Sequence, residues 1–209
     1  MLIDLTLTLK PGMRGVEWEP ARTLEEDGWN ARTLHLYSHC GTHMDAPLHF
    51  GCGEQATIDE TPLETCLTKA HVVRLPDTKP KELLGIPDLE MQAGESLLLN
   101  TGWSAFVDDD EKYRINLPRI SEEFAHWCVE KKVAVLGVEP PSVADVTNLP
   151  EVTRIHEIFL GGGVTIVEGL TNLEALPDHP VLFGAMPLKI YQGDGCPCRA
   201  WASTDSIEL

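Results

Sequence analysis

Short apolar runs, rather than long amphipathic stretches, dominate the pattern of hydrophobic and polar positions along this chain. Runs of this kind, bounded by turn residues, are typical of strands. They predict seven strands, at residues 3–8, 33–39, 70–75, 96–101, 133–138, 164–167 and 181–191. The sequence thus predicts an α/β domain in which strands outnumber helices.

Helical patterns are fewer. Ser121 is a good N-cap for one helix, and the apolar residues that follow it at helical spacing are Phe124, Trp127 and Cys128. Asn148 takes the same position in a second segment, where Glu151 can reach back to the cap and Gly161 can end the helix. We therefore expect one helix after residue 121 and another after residue 148.

The length of 209 residues fits one domain, residues 1–209, which would bury about 70% of the surface that its unfolded chain exposes. The six cysteines include no CxxC pair, and the N-terminus shows no basic region followed by an apolar run of signal-peptide length. We infer a cytoplasmic protein with reduced thiols. Cys196 and Cys198 could form a soft-metal site or be small buried or turn residues, and the sequence leaves both interpretations open.

Acidic residues outnumber basic ones by 33 to 16, which gives a formal net charge of -17. This charge argues against binding to nucleic acid and to anionic membrane surfaces. No segment approaches the ~20 apolar residues that a membrane span needs. One acidic run, residues 108–111, is most simply a solvated turn. The expected partner is a small-molecule substrate, with no nucleic acid and no membrane.

Candidate chemistry concentrates in residues 39–49, which hold three of the chain's eight histidines and an aspartate. Imidazole nitrogens and carboxylate oxygens suit a borderline divalent ion such as zinc, and manganese accepts the same set. A lone histidine near a strand end is usually an ordinary hydrogen-bonded residue, but four candidate ligands so close together indicate a catalytic metal site. The four candidates are His39, His43, Asp45 and His49.

The spacing of these four residues constrains how their side chains can meet. In a helix, the first two and the last two would point to nearly opposite sides. In an extended chain all four lie on one face because all are odd-numbered, and residues 32–38 before them alternate like a half-buried strand. Gly41 and Pro47 are suited to bending the backbone. We expect a strand end that curls around the ion, with Cys40 facing away from it.

A hydrolytic metal site also needs a group that moves protons and a coordination position open to water. One of the three histidines should therefore be left over for general acid/base work. His49 is the outermost of the three, and we assign this role to it.

The pattern His-x-Gly-Thr-His-x-Asp-x-Pro-x-His at residues 39–49 resembles the signature of the cyclase-type metal-dependent hydrolases. Bacterial kynurenine formamidases and isatin hydrolases belong to this family. The resemblance implies that His39, His43 and Asp45 bind metal, and that Asp45 bridges to a second ion where one is present. It implies that His49 is the proton donor and acceptor. The implied fold is the swivelling β/β/α architecture of the family.

The same family takes a histidine and, about a dozen residues later, a glutamate from the second half of the chain. His156 and Glu168 have this spacing. Without the family, His156 on its helix is equally well explained as a core histidine with a satisfied ring, and Glu168 as a solvated residue at a strand end. The resemblance implies that both complete a centre of one or two ions, zinc first and manganese as the second choice.

The segment 10–31 departs from the family pattern. Kynurenine formamidases carry a Trp-Pro-Gly-Asp-type loop that holds the aromatic substrate, and this chain has a different sequence there. Trp18 could replace that aromatic wall, or it could anchor a long loop or form a subunit contact. The family commonly forms homodimers or larger homo-oligomers, and the loop around Trp18 and Trp29 is a candidate interface.

The hypothesis from the sequence is a metal-dependent amidohydrolase that acts on an aryl formamide such as N-formylkynurenine. Two alternatives remain open. One is hydrolysis of a cyclic amide such as isatin, or of a lactone, by the same groups. The other is a non-catalytic metal-binding module that has kept the fold without turnover.

Overall fold

Twelve strands and three α-helices form the regular structure of residues 1–52 and 56–205, the part of the chain that the computed structural model describes. The strands are β1 Leu2–Asp4, β2 Val16–Arg22, β3 Ala31–Leu36, β4 His43–Asp45, β5 Leu67–Arg74, β6 Leu83–Leu84, β7 Ser96–Asn100, β8 Arg119–Ile120, β9 Val135–Val138, β10 Thr165–Glu168, β11 Val181–Pro187 and β12 Gly195–Ser203. The helices are α1 Leu24–Asp27, α2 Glu122–Lys131 and α3 Leu149–Gly161. The predicted α/β class with strands in excess is confirmed.

The main sheet closes on itself like a barrel. Its strands follow the order β12, β11, β5, β7, β9, β10 and β4, and β4 pairs back onto β12. Strand β1 also pairs with β12. The pairs β5/β7, β7/β9 and β9/β10 are parallel, whereas β4 runs antiparallel to both of its neighbours. The three-residue strand β4 is therefore the element that closes the ring.

The apolar runs become central strands because both of their faces are buried. In β7, Leu97 and Leu99 pack with Phe124 and Phe159 of the two long helices, while Leu98 belongs to a separate cluster with Met44 and Phe183. Neighbouring residues of the strand thus face two different cores. This arrangement explains why these strands show continuous apolar runs rather than alternation.

Both long helices begin where the sequence predicts. The side chain of Ser121 accepts a hydrogen bond from the backbone N–H of Phe124 at 3.1 Å, and the side chain of Asn148 accepts one from Glu151 N–H at 3.4 Å. Such caps satisfy N–H groups that the first helical turn leaves without partners. Among the helices of the described residues, none has both the length and the apolar character that crossing a membrane requires.

Three strand predictions need correction. The strand predicted at 181–191 ends at Pro187, and the chain returns as β12, which the sequence analysis missed. The strand predicted at 3–8 ends at Asp4 and is followed by an isolated bridge from Thr6 to Leu170. The strand predicted at 33–39 corresponds to β3, which ends at Leu36 before a turn.

Segment 10–31, expected to be a long loop, contains one strand of a hairpin. Strands β2 and β3 pair only with each other, and most of their side chains are exposed rather than half-buried. Leu34, for example, is 57% exposed. We call this hairpin, with helix α1 at its tip, the hairpin arm.

Candidate metal centre

Strand β4 places His43 and Asp45 on one face, because side chains two residues apart in a strand point the same way. Strand β10 pairs with β4, and their register sets Glu168 opposite His43. Helix α3 packs against β10 and contributes His156. All four of these side chains are buried. The pairing of an early strand with a late one therefore brings the two predicted groups of ligands together.

Two glycines permit this close approach. A Cβ atom on Gly169 would lie 2.4 Å from the carbonyl oxygen of Gly41, and Gly169 has a positive φ of 68°. A Cβ atom on Gly195 would lie 2.6 Å from Cε1 of His39. A side chain at either position would push apart the segments that carry the candidate ligands.

The donor atoms of the four buried residues lie at distances that suit ligands of a common ion. Nε2 of His43 is 3.3 Å from Oε2 of Glu168 and 3.6 Å from Oδ1 of Asp45. Nε2 of His156 is 3.5 Å from Oε1 of Glu168 and 3.7 Å from Oδ2 of Asp45. Neighbouring ligands in a tetrahedral zinc site, each ~2.0–2.1 Å from the ion, are separated by about 3.3–3.4 Å.

Backbone carbonyls orient both buried imidazoles. Nδ1–H of His43 donates to the carbonyl of Gly41 at 3.0 Å, and Nδ1–H of His156 donates to the carbonyl of Val152 at 2.6 Å. Metal-binding histidines characteristically donate the other ring N–H in this way, which fixes the ring and leaves one nitrogen free as a ligand. The Nε2 atoms of both residues are thus positioned toward the carboxylates.

Asp45 carries the clearest sign that a cation belongs here. Its Oδ1 accepts a hydrogen bond from Nδ1 of His39 at 2.8 Å, but its Oδ2 is buried and has no hydrogen-bond partner among residues 1–52 and 56–205. A buried carboxylate oxygen without a partner is costly unless a ligand compensates it. Asp45 is also shared by two groups of possible ligands, one with His39 and His43 and the other with His156 and Glu168. The residues present therefore fit one or two divalent ions.

Asp194, in the turn between β11 and β12, is a residue of this site that the sequence analysis missed. Its Oδ2 accepts a hydrogen bond from Oγ of Ser38 at 3.3 Å and lies 3.0 Å from Nε2 of His39, the ring nitrogen that does not donate to Asp45. It forms a third group of possible ligands with His39 and His49. The available signal was an aspartate between Gly193 and Gly195 just before β12, which by itself indicates only a turn.

His49 lies beside the buried cluster, in a short 3₁₀ turn at Pro47–Phe50. Its ring stacks on that of His39, with the ring centroids 3.7 Å apart, and meets the ring of Phe50 edge-on at 4.5 Å. Burial lowers the pKa of His49, and positive charge on the neighbouring imidazoles adds to this effect against the opposing Asp45. A lowered pKa keeps His49 neutral at neutral pH, so it can accept a proton.

The buried histidines and carboxylates perturb each other strongly. Burial opposes a charge on His43, but Glu168 and Asp45 outweigh burial and raise the pKa of His43 to about 9. Burial likewise opposes the charge of Glu168, yet His156 and His43 hold the pKa of Glu168 well below its ordinary value. The pocket thus favours positive charge between its carboxylates, which protons or a divalent cation can supply.

Two cavities open onto the cluster. A cavity of about 180 Å³ is lined by catalytic candidates and by apolar side chains, among them His49, His156, Glu168, Phe50, Val146 and Val152. A larger cavity of about 320 Å³ is lined by residues 10–14 and by side chains of the segment 107–114. His39, His43, Arg114 and Pro141 line both cavities. A small molecule in either cavity would therefore lie close to the candidate ligands.

Trp18 and the cysteine pair lie apart from this site. Trp18 is on β2 of the hairpin arm, under the guanidinium of Arg32 at 5.3 Å, and it lines neither cavity. Cys196 and Cys198 lie two residues apart on β12 and are buried in an apolar cluster. Burial raises the pKa of the Cys198 thiol. Within residues 1–52 and 56–205, the groups of possible metal ligands contain no cysteine.

The closed sheet and the buried imidazole and carboxylate cluster define an α/β protein with a candidate metal centre. A family model described as "Putative cyclase" matches residues 3–145. The kynurenine formamidase of Salinibacter ruber (strain DSM 13855 / M31) is 32% identical over 95% of this chain and 95% of its own length. The chain therefore belongs to the cyclase family, as its motif predicted.

Further comparisons agree with this family. A kynurenine formamidase of Bacillus cytotoxicus is 28% identical over 91% of this chain and 88% of its own length. A crystal structure of an isatin hydrolase bound to the product analogue thioisatinate superposes with a TM-score of 0.86 at 22% identity, over 96% of this chain and 91% of that chain. At this identity the likeness concerns the fold, and it confirms the predicted cyclase-like architecture.

Proposed function

We propose that this protein is a metal-dependent hydrolase that cleaves the C–N bond of a small amide, with an aryl formamide such as N-formylkynurenine as the leading substrate. The observation that carries the proposal is the buried cluster around Asp45, whose Oδ2 accepts no hydrogen bond from the described residues and whose neighbours line a cavity. Relatives named kynurenine formamidase, matched over nearly their whole length, support this choice of substrate.

The residues that would hold the metal are those of the two groups that share Asp45, namely His39, His43, Asp45, His156 and Glu168. One or two divalent ions fit this set, with zinc as our first choice and manganese as the second. When bound, such an ion acidifies water and polarises an amide carbonyl. The backbone carbonyls that hold His43 and His156 keep their Nε2 atoms ready for this role.

His49 would move the proton. Hydrolysis adds the oxygen of water to the carbonyl carbon, breaks the C–N bond and delivers a proton to the leaving nitrogen. A neutral imidazole beside the cluster can take the proton from water and return it to that nitrogen, so the histidine ends the cycle in its starting state. The products are an amine and a carboxylic acid, which is formic acid when the substrate is a formamide.

The smaller cavity supports an aromatic substrate. Phe50, Val146 and Val152 give it apolar surface, and Phe50 itself stacks on His156 with ring centroids 4.4 Å apart. An aryl ring against Phe50 would lie close to His49 and the ligand cluster. Apolar lining with a small number of polar groups is typical of small-molecule sites.

Two other functions compete with this proposal. Hydrolysis of a cyclic amide such as isatin, or of a lactone, would use the same groups, and the fold shared with isatin hydrolases keeps it as the second candidate. A non-catalytic metal-binding module does not require an open cavity beside a histidine that is neutral at neutral pH. The cavity next to His49 favours the enzyme.

One experiment separates these functions. The purified protein is analysed for metal content and assayed on N-formylkynurenine and isatin, before chelation, after chelation and after metal is restored. We expect hydrolysis of N-formylkynurenine that disappears with the metal and returns with zinc or manganese. Activity that is unchanged after chelation would contradict the mechanism. Activity on isatin alone would favour the second candidate function, hydrolysis of a cyclic amide.

We further propose a homodimer or larger homo-oligomer that works in the cytoplasm, with Trp18 at a subunit contact. The hairpin arm supports the contact, because its exposed apolar side chains include Leu24 at 64%, Trp29 at 56% and Leu34 at 57% exposure. Such a set of apolar residues on one projection marks an interaction surface. Sedimentation of the wild type and of a Trp29→Ser, Leu34→Ser variant tests this proposal, and a monomeric wild type would contradict it.

A further inference from the structure

Arg114 stands where the two cavities meet, because it lines both of them together with His39, His43 and Pro141. It lies in a single π-helical turn, Glu111–Ile115, which begins at the last residue of the acidic run 108–111. π-Helical turns are rare and occur frequently at functional sites. A residue at this position can reach a molecule that occupies either cavity.

The turn that carries Arg114 is firmly anchored. Its neighbour Tyr113 is buried, and the Tyr113 hydroxyl donates to the carbonyl of Glu139 at 2.8 Å. The indole N–H of Trp103 donates to the carbonyl of Tyr113 at 3.0 Å. Arg114 thus projects from a rigid base, and a rigid base is what a specificity-determining side chain requires.

The guanidinium of Arg114 is half-buried yet has no close anionic partner. Among the residues that the structure describes, no carboxylate lies within ion-pair distance of it, whereas the nearby Lys10 pairs with Asp108 at 2.6 Å. Burial lowers the pKa of Arg114, and Arg14 at the cavity rim adds to this effect, while Asp110 and Glu168 oppose it. A partly desolvated guanidinium without a partner is well suited to bind an anion.

We propose that Arg114 is a specificity-determining residue that binds a carboxylate carried by the amide substrate, away from the bond that is cleaved. This inference rests on the proposed function and names its substrate class as small amides that carry a carboxylate. The planar guanidinium offers paired N–H donors that match the two oxygens of a carboxylate, which an ammonium group cannot reproduce. Arg14, exposed at the rim of the larger cavity, adds positive charge that attracts the same anion.

Matched substrates test the proposal by kinetics. N-formylkynurenine carries a carboxylate, and its methyl ester has the same formamide without the anion. We expect Arg114→Gln to lower kcat/KM for the acid by about 10- to 100-fold, mainly through KM, and to leave the ester nearly unchanged. Arg114→Lys should recover part of the lost kcat/KM, because lysine keeps the positive charge but lacks the paired N–H donors of the guanidinium. Arg154→Gln, which removes an equally charged side chain from the exposed surface of α3, is the control.

Equilibrium binding gives a second measurement that needs no turnover. Calorimetric titration of the purified protein with kynurenine, the carboxylate-bearing product, should show a Kd about 10- to 100-fold higher for Arg114→Gln than for wild type. Kynurenine methyl ester should bind both proteins alike. Circular dichroism and metal content equal to those of wild type establish that the variant is folded and loaded.

The outcomes distinguish failure of this inference from failure of the proposed function. Hydrolysis of acid and ester with equal kcat/KM by the wild type would keep the amidohydrolase and overturn the carboxylate subsite. Equal losses on acid and ester in Arg114→Gln would also overturn it. Hydrolysis of neither substrate would count against the proposed function, and the kynurenine titration would then decide the subsite alone.

Discussion

Two buried carboxylates of this fold, Glu139 and Asp45, differ in the hydrogen bonds that they accept. Glu139 has no exposed surface, and its two oxygens accept four hydrogen bonds, from the backbone N–H groups of Thr101 and Trp103 and from the hydroxyls of Thr101 and Ser104. Asp45 is 2% exposed, and one of its oxygens has no hydrogen-bond partner in the part of the chain that the structure describes. Within the described residues, both oxygens of Glu139 accept hydrogen bonds, whereas only one oxygen of Asp45 does.

This difference separates a structural carboxylate from a ligand-binding one. A buried charge that is fully hydrogen-bonded fixes the local backbone, and in this protein Glu139 fixes the turn at residues 101–104. A buried charge that lacks a partner costs free energy unless something else binds it. Incomplete hydrogen bonding, rather than burial alone, therefore distinguishes Asp45 as a candidate metal ligand.

The largest effect should follow from Asp45→Asn, which keeps the shape and removes the charge shared by both groups of ligands. We expect metal affinity to fall by more than the about 10- to 100-fold that loss of an outer partner costs, and hydrolysis to fall with it. Elemental analysis and activity assays measure both. Asp178→Asn, at an exposed pair with Arg74, is the control. Full metal loading of Asp45→Asn would show that Asp45 is not a metal ligand and differs from Glu139 in its hydrogen bonds alone.

A second prediction separates holding the metal from moving the proton. His49→Ala should retain the metal content of the wild type but lower turnover by about 10²–10⁴-fold, the usual contribution of general acid/base catalysis. His179→Ala is the matched control, because that histidine is exposed and bonds only to the carbonyl of Pro180. Loss of metal from His49→Ala would make His49 a ligand, and unchanged turnover would remove its role altogether.

The sequence predicted the central strands because apolar runs between turns carry a local signal. It missed β12 for an equally local reason. That strand reads Gly-Cys-Pro-Cys-Arg-Ala-Trp-Ala-Ser, with small residues and a proline, and it becomes a strand because β11 and β4 pair with its two sides. The sequence predicted one strand of the hairpin arm, β3, and missed the other, β2, because most side chains of β2 are polar or charged and exposed.

The candidate site was predictable in part. Odd numbering correctly predicts that His43 and Asp45 share a face, because both lie on β4. His39 joins them through a turn instead of the same strand. Local patterns left Glu168 and His156 open between ligands and ordinary residues, and the family resemblance decided for ligands, because the pairing of β10 with β4 joins residues more than a hundred positions apart. Asp194 and Arg114 lie in turns that have no periodic pattern.

A smaller and different effect should follow from Glu139→Gln. The amide has one oxygen where the carboxylate has two, so at least one of the four donors loses its partner. We expect the free energy of unfolding to fall by about 1.5–3 kcal/mol, with metal content and turnover per loaded site close to wild type. Urea unfolding measures the loss, and the exposed Glu130→Gln is the control. A loss of metal without a loss of stability would reverse the two roles.

The smallest effect concerns a third buried carboxylate, Glu95, which pairs with Lys69 and accepts hydrogen bonds from the His71 ring and a backbone N–H. Burial would raise its pKa, but the N–H of Gln92, the ammonium of Lys69 and the ring of His71 together lower the pKa to about 2. Because the folded state lowers this pKa from 4.5, the stabilisation is present above pH 4.5 and is lost as the pH falls toward 2.

We expect Glu95→Gln to lower the free energy of unfolding by about 1–2 kcal/mol at pH 7 and progressively less below pH 4.5, where urea unfolding curves of wild type and variant should converge. Glu90→Gln, at an exposed position, should show no such convergence. If the difference for Glu95→Gln did not depend on pH, its hydrogen bonds alone would account for the effect, and Glu95 would belong with Glu139 rather than stand as a third kind of buried carboxylate.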